Sequence, residues 1–513
     1  MLTGQAALVA ELKLAVRPPY TESRILGARR RTDTGETGAV ETYSKQYAHA
    51  GGFRDHLLFA LRHEPLDLGV LCAAFKAVSP EEVRSWMGEE PTGAYARRAW
   101  FLYEYLTGDR LDLPDAKSGN YVDVLNPKRH LVGASRASRR HRVRDNLLGA
   151  PGFSPTVRRT QKLVRHMEAA FDQEAAALTR NADPDLLRRA VSFLYTKETK
   201  STWEIEGEEV SGGREEKFVA ALTRAAQFDP ADKAALIGLQ NAIVDPRYSA
   251  QDWRDMQNYV GETISGYRER VHFVCPKPED VAALMASWGA TSKRVLDDKV
   301  DPVVAAALAA FGFVFIHPFE DGNGRIHRFL VHNVLAKTGF SPPGVIFPVS
   351  VSIVRDMPAY DAALESFSKP LLSLIDWEFL EDEHRVIVRG ETADHYRYFD
   401  ATRLAEYLYD RVAETVRKDL AEELDFLGCF DRAYKGVRAV VDMPNKKMSL
   451  FVRLALQNSG RLPKTRRKLF EEVTDAEIAA MEAAVQQAQA PIDGDGAEAE
   501  PTSRRGTRDG SHD

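Results

Sequence analysis

Apolar residues recur at three-to-four spacing through most of the chain, and the period shortens to two in only a few places. Residues 53–106 set the pattern. FRDHLLFALRH and LGVLCAAFKAV each place one apolar face on a helix, and Ser79-Pro80 opens another, with the serine as cap and the proline at the first helical position. The aromatic-rich residues 95–106 predict rings packed on neighbouring helices. A second helical series starts near Thr156 and includes PDLLRRAVSFLYTKETKSTWEIEGE, where Gly207 is placed to stop the helix. Further helices are predicted over 215–228, 230–243 and 251–260. Residues 266–278, GYRERVHFVCPKP, turn β-like, and helix returns over 278–288. Residues 303–316 are continuously apolar but too short to span a bilayer, which predicts a buried helix capped by Asp301 with Pro302 at its start. Residues 385–399 predict a strand. Helices then follow to about residue 485, the last with a capping box between Thr474 and Glu477.

These patterns divide the chain into a poorly structured segment 1–52, a helical module 53–150, a core 156–377 and a second helical module 378–485. A disordered Gly/Asp/Glu/Ser/Arg-rich tail, 486–513, closes it. Fold class is mostly α.

Composition narrows the function classes. A net charge of −6 argues against a chain that coats nucleic acid as a whole. The basic stretch 128–144 lacks the interleaved aromatics of a nucleic-acid surface, so paired or solvated arginines are the favoured reading, and a second basic stretch, 461–468, lies between helices and is compatible with, but does not favour, a helix-turn-helix. Cys72, Cys275 and Cys429 are far apart and odd in number, which points to a reducing, cytoplasmic setting. Glu11 and Lys13 interrupt the apolar N-terminus, so it does not read as a signal peptide, and no membrane partner is expected.

The chemistry is concentrated in residues 317–328, HPFEDGNGRIHR. Gly322 and Gly324, at the start of an amphipathic run, let backbone N–H groups approach an anion at a helix N-terminus. Arg325 and Arg328 are three apart and share a helical face suited to phosphate oxygens. Asp321 offers a hard oxygen for Mg²⁺. His317, on the loop side, suits general-base work, whereas His327 lies inside the helix. Phe319 is expected to anchor the loop.

This stretch resembles the Fic-domain motif HxFx(D/E)GNGRxxR at every fixed position. The resemblance implies a Fic-type helical core with a short β-hairpin flap, flanked by helical modules, that transfers AMP from ATP to a protein Ser, Thr or Tyr hydroxyl. It implies His317 as catalytic base, Asp321 as Mg²⁺ ligand, and Gly322, Asn323 and Gly324 as the anion hole. Arg325 and Arg328 would bind the outer phosphates. Upstream, TWEIEG (residues 202–207) resembles the (S/T)xxxE(G/N) pattern of an N-terminal inhibitory helix in this family. It implies Thr202, Glu206 and Gly207 as inhibitory residues, with Glu206 paired to Arg328. Partners implied are ATP and a hydroxyl-bearing protein, self-modification included. Hydrolysis of AMP-modified protein, and a non-enzymatic nucleotide-sensing or DNA-associated regulator, are the alternatives. The phosphotransferase branch of the superfamily resembles the motif less, since it places lysine where Gly324 stands.

Overall fold

The protein is described from a computed structural model covering residues 1–27, 30–35, 38–209, 212–264 and 268–490. It forms two compact units, Met1–Ala421 and a second unit beginning at Glu422.

The first unit opens with a sheet rather than the expected poorly structured segment. Strands Leu2–Thr3, Thr21–Ile25, Ala39–Tyr43 and Arg31–Thr34 lie side by side in that order. Periodicity hid them because the buried positions of Thr21–Ile25 are Thr21, Ser23 and Ile25, two of them polar. The helices Phe53–His63, Leu68–Ala77, Pro80–Glu89 and Ala94–Thr107 follow as the spacing predicts. Ser79 caps Pro80–Glu89 by accepting from Glu81 N–H. Leu57, Leu71, Trp86, Trp100 and Leu102 are buried together between these helices.

Three of the arginines in the basic stretch 128–144 are paired with carboxylates within the fold. Arg140 pairs with Glu104 and Asp115, Arg144 with Asp123, and Arg136 with Asp298.

The centre of the unit is the helix Pro302–Ile316, buried on nearly all sides. Asp301 caps it through the N–H groups of Val303 and Val304, each at 3.1 Å. It packs against Pro278–Asp297, Asn323–Lys337 and Thr402–Glu414. The last of these corrects the expected boundary at residue 378. Tyr409 donates to Asp301 at 2.6 Å, which ties Thr402–Glu414 into the first unit. Ahead of it, Asp376–Leu380 and Arg385–Arg389 pair as a hairpin.

Residues 251–260 are not the predicted helix. They are an irregular segment leading into strand Tyr259–Ile264, which pairs antiparallel with Arg268–Val274. The expected flap is therefore a hairpin that begins upstream of residue 266, and its tip, 265–267, lies outside the described residues. Phe273 fixes it to the core against Phe315 and Phe367.

In the second unit the helices Ala421–Val440, Asn445–Leu456 and Asp475–Gln489 surround Phe451, Val452, Met481 and Val485. The Thr474–Glu477 capping box is formed. The final helix continues to Gln489, past the expected start of the tail, and residues 491–513 lie outside the described residues.

Candidate active site

The loop 317–322 joins the two central helices, Pro302–Ile316 and Asn323–Lys337. His317 ends the first helix in a left-handed conformation, φ 52°. Its Nδ1–H donates to Val314 carbonyl at 3.0 Å, which leaves Nε2 as the ring's acceptor. Burial lowers its pKa to about 4, opposed by the Val314 bond. The ring is therefore neutral, with a lone pair on Nε2, at ordinary pH.

Three side chains that the motif does not specify hold this loop. Arg254 Nε donates to His317 carbonyl at 2.7 Å, its Nη1 to Met256 carbonyl and its Nη2 to Pro276 carbonyl, each at 2.7 Å. Arg254 thus links the histidine to the base of the hairpin. Asn258 Nδ2 approaches the carbonyls of Phe319 and Glu320, both at 3.4 Å. Gln240 Nε2 donates to Asp321 carbonyl at 3.2 Å. Their partners in the loop are backbone groups far away in sequence, so nothing in their neighbourhoods signalled the role.

Phe319 is buried and anchors the loop as expected. Asn323 contributes in an unexpected way. Its Oδ1 accepts from Phe319 N–H at 3.0 Å and its Nδ2 donates to Phe319 carbonyl at 2.8 Å. The side chain therefore braces the loop, and only the backbone N–H of residue 323 belongs to the helix start that could hold an anion. Gly322 precedes that start at φ 89°.

Both motif arginines are buried and engaged by carboxylates. Glu206 Oε1 accepts from Arg328 Nη2 at 2.7 Å, and its Oε2 lies 2.8 Å from Arg325 Nε. The sequence pattern paired Glu206 with Arg328 alone, whereas the structure gives it both arginines. Arg325 Nη2 also donates to Asp321 Oδ1 at 2.6 Å and its Nη1 to Glu208 Oε2 at 3.4 Å. Arg328 donates to Thr202 from Nη2 (carbonyl, 2.7 Å) and from Nε (hydroxyl, 3.3 Å). Burial would lower the Arg328 pKa, but Glu206 and Tyr360 outweigh it and the net shift is upward. His327 is buried against Phe311 and lowered to about 3 by desolvation, away from the role of base.

Glu206 reaches the arginines from the end of helix Pro184–Glu204. The last turn closes with Glu208 N–H on Trp203 carbonyl (3.1 Å) and Gly207 N–H on Glu204 carbonyl (3.0 Å), with Gly207 at φ 70°. This is a Schellman closure, and it places Glu206 at the helix terminus with its side chain turned to the motif. Its carboxylate fills the space over Gly324, where an added Cβ would stand 2.3 Å from Oε1. An anion thus already sits at the start of the Asn323–Lys337 helix, between two guanidinium groups.

Residues 230–335 match the Fic/DOC family. The chain carries a Fic/DOC domain. Within this domain lie His317, Asp321, the 322–324 helix start, Arg325 and Arg328, whereas Thr202, Glu206 and Gly207 come from outside the matched stretch. The chain is 37% identical over 105 residues to the protein adenylyltransferase Fic of Drosophila mojavensis, which covers 20% of this chain and 18% of that protein. The protein of the same name from Drosophila melanogaster is likewise 37% identical over 105 residues, covering 20% of this chain and 19% of its own length. The chain thus spans about a fifth of the relatives it matches. Among solved structures, a Fic-domain signaling protein from Bacteroides thetaiotaomicron aligns over 50% of this chain and 96% of its own, at 17% identity and a TM-score of 0.36. Fic-1 of C. elegans aligns over 72% and 92%, at 17% identity and 0.32.

Among the described residues no group of three His, Cys, Asp or Glu side chains could hold a metal ion, and no helix is long and apolar enough to cross a membrane. A single carboxylate still fits Mg²⁺ bound with a nucleotide, because that ion keeps several waters and takes phosphate oxygens as its other ligands. Asp321, half-exposed at the helix start, is the carboxylate that could serve in this way.

Proposed function

We propose that this protein is a protein adenylyltransferase that moves AMP from ATP to a Ser, Thr or Tyr hydroxyl of a protein and is held back by Glu206. The observation that carries this reading is the Glu206 carboxylate lodged over Gly324 between Arg325 and Arg328. A site that binds a carboxylate through two guanidinium groups and a helix start suits phosphate even better. The Drosophila relatives named protein adenylyltransferase support the same direction.

In the active form Glu206 gives way to the polyphosphate. The backbone N–H groups of residues 322–324 hold the α- and β-phosphates, and Arg325 and Arg328 take the outer oxygens. His317 Nε2 accepts the proton of the target hydroxyl, whose oxygen attacks the α-phosphorus as the bond to pyrophosphate breaks. The leaving charge is met by the two arginines. Asp321 would hold Mg²⁺, which supplies positive charge to the phosphates. Most of the rate comes from positioning and charge stabilisation, because phosphoryl chemistry asks little covalent work of the protein.

The hairpin 259–274 presents the target. Val260 is an exposed apolar side chain on strand Tyr259–Ile264, and that strand has a free edge suited to pairing with an extended peptide. The hairpin is tied to the His317 carbonyl through Arg254, so a docked hydroxyl is registered to the base.

The test is labelled ATP with wild type and Glu206→Gly, with and without lysate protein. Greater incorporation by Glu206→Gly, self-modification included, is expected. No incorporation by that variant with any labelled nucleoside triphosphate would overturn the reading.

A further inference from the structure

Behind the Glu206 contact lies a second, buried set of polar bonds. Glu198 lies within helix Pro184–Glu204, eight residues before Glu206, and its side chain is fully buried. Its Oε1 meets His332 Nε2 at 2.7 Å and accepts from Ser350 Oγ at 2.5 Å, while Oε2 accepts from Ser350 N–H at 2.8 Å. His332 lies one turn beyond Arg328 on Asn323–Lys337. The two helices are therefore joined at two levels, Glu206 to Arg328 and Glu198 to His332.

Thr202 lies between them. Its Oγ1 is 2.7 Å from Ser350 Oγ and accepts from Arg328 Nε at 3.3 Å. The donor order of this chain is fixed. A guanidinium only donates, and a carboxylate only accepts. Ser350 gives its one hydroxyl proton to Glu198, so Thr202 must donate to Ser350. A directed path runs from Arg328 through Thr202 and Ser350 to Glu198. Leaving buried polar groups without their partners costs more than leaving exposed ones, and Glu198 bonds both His332 and Ser350, so it is the costly end of this path to disturb.

We propose that Glu198, through His332 and Ser350, is a positioning residue that seats the 184–204 helix, and that restraint of the nucleotide site is set by this buried contact as well as by Glu206. The inference rests on the adenylyltransferase reading of the site. Glu206 competes with phosphate for the arginines only while its helix is seated. Loosening Glu198 lowers the seated fraction, and the apparent affinity for ATP rises by the fraction released. The split is diagnostic: KM for ATP falls while kcat holds, whereas general damage to the fold lowers kcat.

The experiment compares Glu198→Ala and Ser350→Ala, each with Glu206 intact and with Glu206→Gly. It measures labelled-AMP incorporation against ATP concentration and ATP binding by calorimetry. With Glu206 intact, Glu198→Ala is expected to lower KM and Kd for ATP by about tenfold, and Ser350→Ala by less. In the Glu206→Gly background neither change has a further effect. An unchanged Kd with Glu206 intact, or an equal gain in both backgrounds, overturns the proposal. Should Glu198→Ala fail to fold, Ser350→Ala decides by the same comparison. Absence of AMP incorporation by Glu206→Gly removes the adenylyltransferase reading instead, and the calorimetric comparison still judges the anchor.

Discussion

Glu206 and Gly324 occupy complementary halves of one space: the carboxylate Oε1 lies 2.3 Å from the point a Cβ on residue 324 would take. On the adenylyltransferase reading the glycine is needed twice over, for the carboxylate in the restrained form and for a phosphate in the active one. Gly324→Ala in the Glu206→Gly background is therefore expected to lower AMP incorporation by about tenfold or more, since the methyl group stands where the anion must sit. Steady-state kinetics with labelled ATP checks this. Activity equal to that of Glu206→Gly alone would place the anion elsewhere.

His317 predicts both a loss and a pH profile. His317→Ala in the Glu206→Gly background should cost about 10²–10⁴ in kcat, the range of a general base. Burial has already lowered the ring's pKa to about 4, so the proton-accepting form persists well below neutrality. The acid limb of kcat/KM should be flat from pH 8 to about 5 and fall only toward pH 4. A limb that bends near 6.5 would mean that the ring is not desolvated in the working enzyme.

Some of this was legible in the sequence and some was not, for identifiable reasons. Caps at Asp301, Ser79 and Thr474 were legible because a cap and its N–H partners lie within a few residues. The grouping of His317, Asp321, Arg325 and Arg328 was legible because one loop and one helix carry them all. The hold of Glu206 on Arg325 as well as Arg328 was not, since it depends on how the end of one helix meets the start of another. Arg254 was invisible because it bonds to backbone carbonyls, which carry no sequence identity. The Glu198–His332 pair joins residues 134 apart. The hairpin was seen only in its second strand, because Tyr259–Ile264 is almost wholly exposed and shows no apolar alternation.

Buried histidines, His130 and His327 among them, make the protein acid-sensitive. His130 is lowered to about 4 and His327 to about 3, in both cases by desolvation first. In the unfolded chain each titrates near 6.5. Between those values the unfolded chain binds protons that the native one does not, so the contribution of these two histidines is full above about pH 6.5 and falls as pH drops. Each group contributes a slope of about 1.4 kcal/mol per pH unit. Urea unfolding of the first unit at pH 7 and pH 5 should show this decline, and His327→Gln should reduce it. An unchanged slope in the variant would mean that His327 does not carry it.

Asn323 separates bracing from anion binding. Its side chain satisfies both backbone groups of Phe319, which is fully buried. Asn323→Ala leaves that N–H unpaired, at about 1–3 kcal/mol, and leaves the C=O only the 3.4 Å approach of Asn258 Nδ2. Asn323→Asp keeps an acceptor for the N–H but sets an oxygen against the carbonyl, so it relieves only half the loss and adds repulsion. Both variants should shift the urea midpoint downward with the m-value unchanged. Both should also lose AMP transfer in the Glu206→Gly background, because the released loop carries His317. Were Asn323 instead a direct phosphate ligand, Asn323→Ala would weaken ATP binding while leaving the urea midpoint in place, and the loop-bracing role would fall.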